Sequence, residues 1–504
     1  MTDTIVLGLD GANWALLEPW VQAGQLPNIE ALIHDGVRTD LESCLPPVTC
    51  PNWRCYSTGK NPGKLGVFWW EKIDTDTQTL TTPNSRSFKS ANYWDYLNDE
   101  SQTVGVMNLP MSYPPFEIDT YMIAGGPGSE QQSYTHPPTL GDSLDEEGYQ
   151  LHPETPVTSK SDHEAAKAMV NLIDQRLTTF RKRLDEEPVD VAHCTVFYIN
   201  VLQHFFWRGE PTQRAWEVID EHIGEIRTEY PDTTLFLMSD HGCKDVETVF
   251  YANSWLEEQG YLVTTDDTAD VMNSLGVNKK QLSKLAHKLG VHSFVTRLAP
   301  DRLTDSIPED EEGFKREQKL EKVDWERSQA IASGQGLIYV IDDDPATIGE
   351  LIGDLESLTD DKGRAVARDV LTREEAYEGP YTDEAPDIVF DQRPGVHTSG
   401  AIGSNPVFDD AGKWKAENIR TGLFLADGPD VTAESLPETI SMPDIAPTVL
   451  HSVGCSIPTD MDGKPVDLFD DRTVAERDPI PFKDTDGRSG NEVQDRLEDL
   501  GYLE

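Results

Sequence analysis

A chain of 504 residues has room for one large domain or several average ones, and it can bury a core without disulfide or metal staples. Its 91 acidic and 42 basic residues give a formal net charge of −49, which repels phosphate backbones and anionic lipids and so disfavours nucleic-acid or membrane binding driven by charge. With 37% hydrophobic residues, 11 Trp, 15 Tyr and 16 Phe, the chain does not avoid burial, and a folded protein with an acidic, hydrated skin is expected.

Ile5 to Leu9 is a short apolar run ending in Asp10-Gly11, the pattern of a buried parallel strand whose carboxyl end presents a carboxylate. A helix pattern follows, and Leu26 to Ile33 reads as a further helix closed by Asp35-Gly36. Val104 to Met107 and Tyr121 to Ala124 read as strands. Ala166, Met169, Val170, Ile173, Leu177, Phe180 and Leu184 fall on one face, which predicts a helix over Asp162 to Glu186. Val189 to Ile199 is then a strand, Thr212 to Glu229 a helix, and Thr233 to Met238 an apolar strand ending in Ser239-Asp240-His241-Gly242. Repeated β-α-β order with buried-type strands predicts an α/β fold, a doubly wound, mostly parallel sheet flanked by helices, with ligands beyond the carboxyl ends of its strands.

From Tyr261 to Ala330 the composition shifts to Lys, Asp, Glu and Ser, with helical stretches at Lys279 to Leu289 and Gly313 to Arg327. This predicts a core over residues 1–260, an inserted cap over 261–330, a second part of the core over 331–478 and an acidic tail over 479–504. Strand signals return at Leu337 to Ile341, Asp387 to Phe390 and Gly422 to Ala426, and Pro443 to Val453 reads as a late helix closed by Gly454. Six cysteines without a Cys-x-x-Cys pair predict reduced thiols rather than a disulfide framework or thiolate zinc site. The N-terminus lacks a basic and apolar leader, and no apolar run reaches the ~18 residues of a spanning helix, so a soluble, cytoplasmic protein is expected.

Hard, metal-competent groups follow several strands: Asp10, the Asp240-His241 pair, and the Asn200-x-x-x-His204 turn, with His397 in Gly395-Val-His-Thr-Ser-Gly400 as a fourth place. Adjacent Asp and His before a glycine can point to one side of a turn and both ligate. Thr49, in Thr-Cys-Pro-Asn at the start of a helix pattern, suits a hydroxyl nucleophile beside free backbone N–H groups; on local sequence it suits a capping threonine as well.

Taken in order, Asp10, Thr49-Cys-Pro-Asn52, Thr58-Gly-Lys-Asn-Pro-Gly63, His204, Asp240-His-Gly242, His397, Pro443-Asp-Ile-Ala-Pro-Thr-Val-Leu450 and Met461-Asp-Gly463 resemble the type I phosphodiesterase/nucleotide pyrophosphatase branch of the alkaline phosphatase superfamily. The acid excess is similar to that of proteins from salt-loving archaea, which implies a halophilic protein. The family resemblance implies an alkaline phosphatase-like fold and two divalent metal ions, zinc in most relatives. One would be held by Asp10, Thr49, Asp240 and His241, the other by Asn200, His204 and His397, with Thr49 as the nucleophile. It implies a metal-dependent phosphoric-ester hydrolase cleaving a phosphodiester or nucleotide-type pyrophosphate through a Thr49 intermediate. The substrate would be a phosphorylated small molecule, glycan or nucleotide sugar.

The chain departs from that pattern at Asn200, where the family has an Asp, so an amide replaces a charged ligand and the second site is weaker. It departs again at Leu65-Gly66 and Trp69-Trp70, where Phe68 and the tryptophans read as a core or pocket wall, with an aromatic clamp on substrate as the minor alternative. Two other functions stay open: a phosphomonoesterase or phosphosugar mutase-like enzyme, and a catalytically decayed phosphate- or partner-binding protein.

Overall fold

Thr4–Leu9 is buried along its whole length because both of its faces are covered. In the computed structural model, which describes residues 2–131, 133–153, 162–265, 320–341, 344–470 and 472–482, Val6 enters one hydrophobic core while Ile5, Leu7 and Leu9 enter another. The same alternation sends Phe236 and Met238 to the first core and Leu235 and Leu237 to the second. A period of two with apolar side chains on both sides is what makes these strands read as continuous apolar runs.

The sheet has nine strands, in the order Thr439–Ser441, Val37–Glu42, Thr421–Asp427, Thr234–Met238, Thr4–Leu9, Val191–Val196, Val104–Pro110, Tyr121–Gly125 and Thr135–His136. Thr4–Leu9 pairs in parallel with Val191–Val196 and with Thr234–Met238. Thr421–Asp427 is antiparallel to both its neighbours. Helices Asp162–Glu186 and Glu210–Glu229 bury Phe180, Leu184, Trp216 and Ile223 in one core. Helices Thr49–Thr58, Tyr93–Asp99 and Ile445–Ser452 bury Trp53, Trp94 and Leu450 in the other. The expected α/β fold with a mostly parallel sheet between helices is therefore the fold observed.

Several elements differ from expectation. The strand expected to reach Ile199 ends at Val196, and helix Tyr198–Phe206 takes over, so Asn200 and His204 lie four residues apart on one helical face instead of in a turn. The strands expected near Leu337 and Asp387 form, at Leu337–Val340 and Ile388–Gln392, and with Ala330–Ala332 and Ala367–Thr372 they make a separate antiparallel sheet over a third core. The expected Lys279 to Leu289 helix lies outside the described residues, as do 266–319 generally and 483–504 of the tail. Of the expected helix over Gly313 to Arg327, the described part is helical only at Leu320 and Glu321, because Val323 is drawn into an antiparallel bridge with Thr264. All six cysteines are free thiols. No helix among the described residues is long and apolar enough to cross a membrane.

Candidate active site

Asp10 and Asp240 follow adjacent parallel strands, so sheet pairing alone brings their carboxylates together. The Gly11 amide, two residues beyond the strand, donates to Asp240 Oδ1 at 3.2 Å. Gly242 has to be glycine because a Cβ there would sit 1.9 Å from the Thr421 carbonyl oxygen at the start of strand Thr421–Asp427. Asp10, Asp240 and His241 are fully buried, with one ligand atom from each lying within 4.8 Å of the others. His241 Nδ1 faces the Gly242 carbonyl oxygen at 3.0 Å, which leaves Nε2 turned towards Asp240 Oδ2 (3.2 Å) and Asp10 Oδ1 (3.7 Å).

Thr49 stands at the start of helix Thr49–Thr58, but the capping position is Val48 and the threonine hydroxyl does not cap. Thr49 Oγ1 lies 3.4 Å from Asp10 Oδ1, to which it donates, and 3.4 Å from His241 Nε2. A residue that sequence reading missed completes this group: the Trp53 indole N–H, one turn along the helix, donates to Asp10 Oδ2 at 2.8 Å.

His204 and His397 meet around the Trp414 ring. The indole stacks on His204 with ring centroids 3.8 Å apart and lies 5.8 Å from His397. His397 arrives through strand Val396–Ser399, whose parallel register with Thr248–Tyr251 sets Val249 against His397. His204 Nδ1 is held by the Ala416 carbonyl oxygen at 2.7 Å, and His397 Nδ1 by the buried Glu417 carboxylate, which the sequence reading also missed. His204 and Glu417 are both close enough to act on the charge of His241, so the two groups adjoin.

Asn200, on the helix that carries His204, reaches the first group. Its Oδ1 accepts from Gln203 Nε2 at 3.4 Å and from the Cys243 thiol at 3.8 Å, while its amide hydrogen-bonds the Asp10 carboxyl. Phe68, Trp69 and Trp70 are buried in the core, the wall rather than the clamp reading.

Burial dominates the electrostatics. It raises Asp10 to about 8 against the hydrogen bonds from Trp53, Thr49 and Asn200, and with the repulsion of Asp10 it raises Asp240 well above the carboxylate range. It lowers His241 to about 3 and His204 to about 4, so both imidazoles are neutral donors at physiological pH. Asp240 Oδ2 is buried without a hydrogen-bond partner, and neither carboxylate has a Lys or Arg partner among the described residues. Two buried carboxylates and a neutral imidazole nitrogen converging on one point fit a divalent cation.

A family model described as type I phosphodiesterase/nucleotide pyrophosphatase matches residues 4–415. Among solved structures, phosphonoacetate hydrolase from Sinorhizobium meliloti 1021 in complex with phosphonoacetate is similar with a TM-score of 0.57 at 14% identity, covering 90% of this chain and 95% of that one. Wild-type alkaline phosphatase PafA gives 0.52 at 13% identity, over 92% and 97% of the two chains. Murine ectonucleotide pyrophosphatase/phosphodiesterase 5 gives 0.48 at 12% identity, over 90% and 95%. At these identities the structural likeness is one of fold. No curated protein matches the chain in sequence.

Proposed function

The chain belongs to the type I phosphodiesterase/nucleotide pyrophosphatase family, and on that premise we propose that it is a metal-dependent hydrolase cleaving a phosphodiester or nucleotide-type pyrophosphate through a covalent intermediate on Thr49. The observation that carries this reading is the Thr49 hydroxyl, buried at a helix start and directed at Asp10 and His241 instead of capping its own helix.

Asp10, Asp240, His241 and Thr49 would hold one divalent cation, and His204, His397 and the neutral Asn200 a second, with zinc suited to this mixture of imidazole and oxygen donors. Bound there, such ions supply Lewis acidity, lowering the pKa of a hydroxyl and neutralising phosphoryl charge. The protein residues perform the positioning. Trp53 and Asn200 fix the Asp10 carboxyl, and Asp10 Oδ1 accepts the Thr49 hydroxyl hydrogen, which orients the oxygen lone pairs. The Thr49 oxygen gives up its hydrogen to solvent water and bonds to phosphorus while the ester or pyrophosphate oxygen departs on the opposite side and takes up a proton from water. Water then attacks the same phosphorus, the bond to Thr49 breaks, and the hydroxyl is restored. The start of helix Thr49–Thr58 favours the negative charge carried through both steps.

A diester carries one negative charge and a monoester two. Around Thr49 the polar contacts come from a carboxyl and a neutral imidazole, which supports the singly charged substrate class. The test is turnover of a bis(nitrophenyl) phosphate, a nitrophenyl phosphate and a nucleotide sugar by the metal-loaded wild type and Thr49→Ala. Loss of at least ~10³-fold in turnover, together with an acid-quenched phosphoryl or nucleotidyl adduct on the wild-type peptide containing Thr49, is expected. Full turnover by Thr49→Ala would refute the nucleophile, and a large monoester preference would refute the substrate class.

A further inference from the structure

Asn200 leaves the second group of donors without a carboxylate of its own, yet a buried carboxylate stands directly behind it. Glu417 lies on strand Ala416–Ile419, whose antiparallel register with Gly242–Asp245 sets Lys244 against Glu417, so the segment that follows His241 brings it in. Its oxygens are fully engaged. Oε2 accepts from His397 Nδ1 and from the Trp414 indole N–H at 3.0 Å. Oε1 accepts from Gln335 Nε2 at 3.0 Å and from the Asn418 amide at 2.8 Å. A carboxylate has about four acceptor positions, so these four donors occupy Glu417 and remove it from direct ligation.

What it does instead follows from donor and acceptor chemistry. An ionised carboxylate only accepts, so His397 carries a proton on Nδ1 and, as the neutral imidazole that can ligate, keeps its lone pair on Nε2. His204, anchored at Nδ1 by the Ala416 carbonyl oxygen, has the same tautomer imposed on it from the residue next to Glu417. Trp414 touches both imidazole rings and bonds to Glu417, which ties the three side chains into one unit. Gln335 is held in place by its backbone: it has φ 52° between Gly334 and Gly336, a left-handed conformation that aims its amide at Glu417.

We propose that Glu417 is the positioning residue of the second cation site, fixing His397 and supplying from behind that ligand the negative charge that Asn200 does not bring to the ion. The inference rests on the reading that His204 and His397 bind a divalent cation, and its test is a binding measurement made without turnover. A carboxylate hydrogen-bonded to a ligating imidazole raises its basicity, and its loss typically costs 10–100-fold in metal affinity.

Calorimetric titration of the metal-free full-length chain with Zn²⁺, with elemental analysis of the product, separates the two sites. The wild type is expected to take up two ions. Glu417→Gln should keep the tighter site unchanged and weaken the second by roughly 10–100-fold, and adding Asn200→Asp should recover most of that loss by placing the charge on the ligand itself. An unchanged second site in Glu417→Gln, no recovery in the double variant, or a single ion in the wild type would each overturn the proposal. None of these outcomes depends on Thr49, so failure of the Thr49 hydrolase reading shows separately in the turnover of Thr49→Ala. Should Glu417→Gln lose both ions, Trp414→Phe decides: it removes one donor from Glu417 and should weaken only the second site, and equal affinity with the wild type would overturn the proposal.

Discussion

Asp10 Oδ2 accepts the Trp53 indole hydrogen bond, which leaves Oδ1 to face Thr49 and His241. Trp53→Phe keeps most of the ring but deletes the donor, so the carboxylate loses its orientation with little change in packing. In calorimetric titration the tighter cation site should weaken by about tenfold or more, in the range found for groups that orient ligands; unaltered binding would show that the indole only fills space. The indole also explains a glycine inside a strand. A Cβ on Gly8 would meet the Trp53 ring at 2.4 Å, so Gly8→Ala should destabilise by about 1–3 kcal/mol in urea unfolding through overpacking. At this scale the sequence singled out Asp10, Thr49, Asp240 and His241 by their order along the chain, since taken one at a time an Asp after a strand or a Thr at a helix start reads as a cap as well. Trp53 and Glu417 carried no such mark: one looks like any core tryptophan, the other like any of 91 acids.

Elements show what local patterning can and cannot say. The helix over Asp162–Glu186 was legible to its ends because seven apolar side chains repeat at helical spacing. The next strand along the chain, Val191–Val196, was overrun by three residues, since Phe197, Tyr198 and Ile199 are apolar in either geometry and only packing bends them into a helix. That same strand carries a buried histidine. His193 is stacked on Tyr56, its nitrogens facing the Tyr56 hydroxyl at 3.0 Å and Thr195 Oγ1 at 2.7 Å, and burial lowers it to about 3. In the unfolded chain it titrates near ~6.5. Below that value the unfolded state binds a proton that the folded state refuses, so the contribution of His193 to stability is complete above about 6.5 and is lost as pH falls towards about 3. His193→Gln should flatten the pH dependence of unfolding free energy in this window by up to ~1.4 kcal/mol per pH unit. Parallel curves for variant and wild type would disprove it.

For the whole molecule the dominant quantity is the net charge of −49. Repulsion among these acids opposes the compact state, and salt relieves it as the Debye length shrinks from ~10 Å at 0.1 M to ~3 Å at 1 M. The melting temperature should therefore rise steeply between 0.1 and 2 M KCl (about a twentyfold range of ionic strength), and a flat or falling profile would contradict a chain built for high salt.

By itself the sequence determined the layered α/β fold, the family and the residues at the strand ends, because burial on both faces of a strand and polarity at its end are written in neighbouring positions. The tertiary structure alone decided how the second group of donors is built. His397 reaches the site through its register with Val249, and Glu417 through its register with Lys244, pairings across 148 and 173 positions of chain. Such registers depend on how sheets stack and close, and no local period records them.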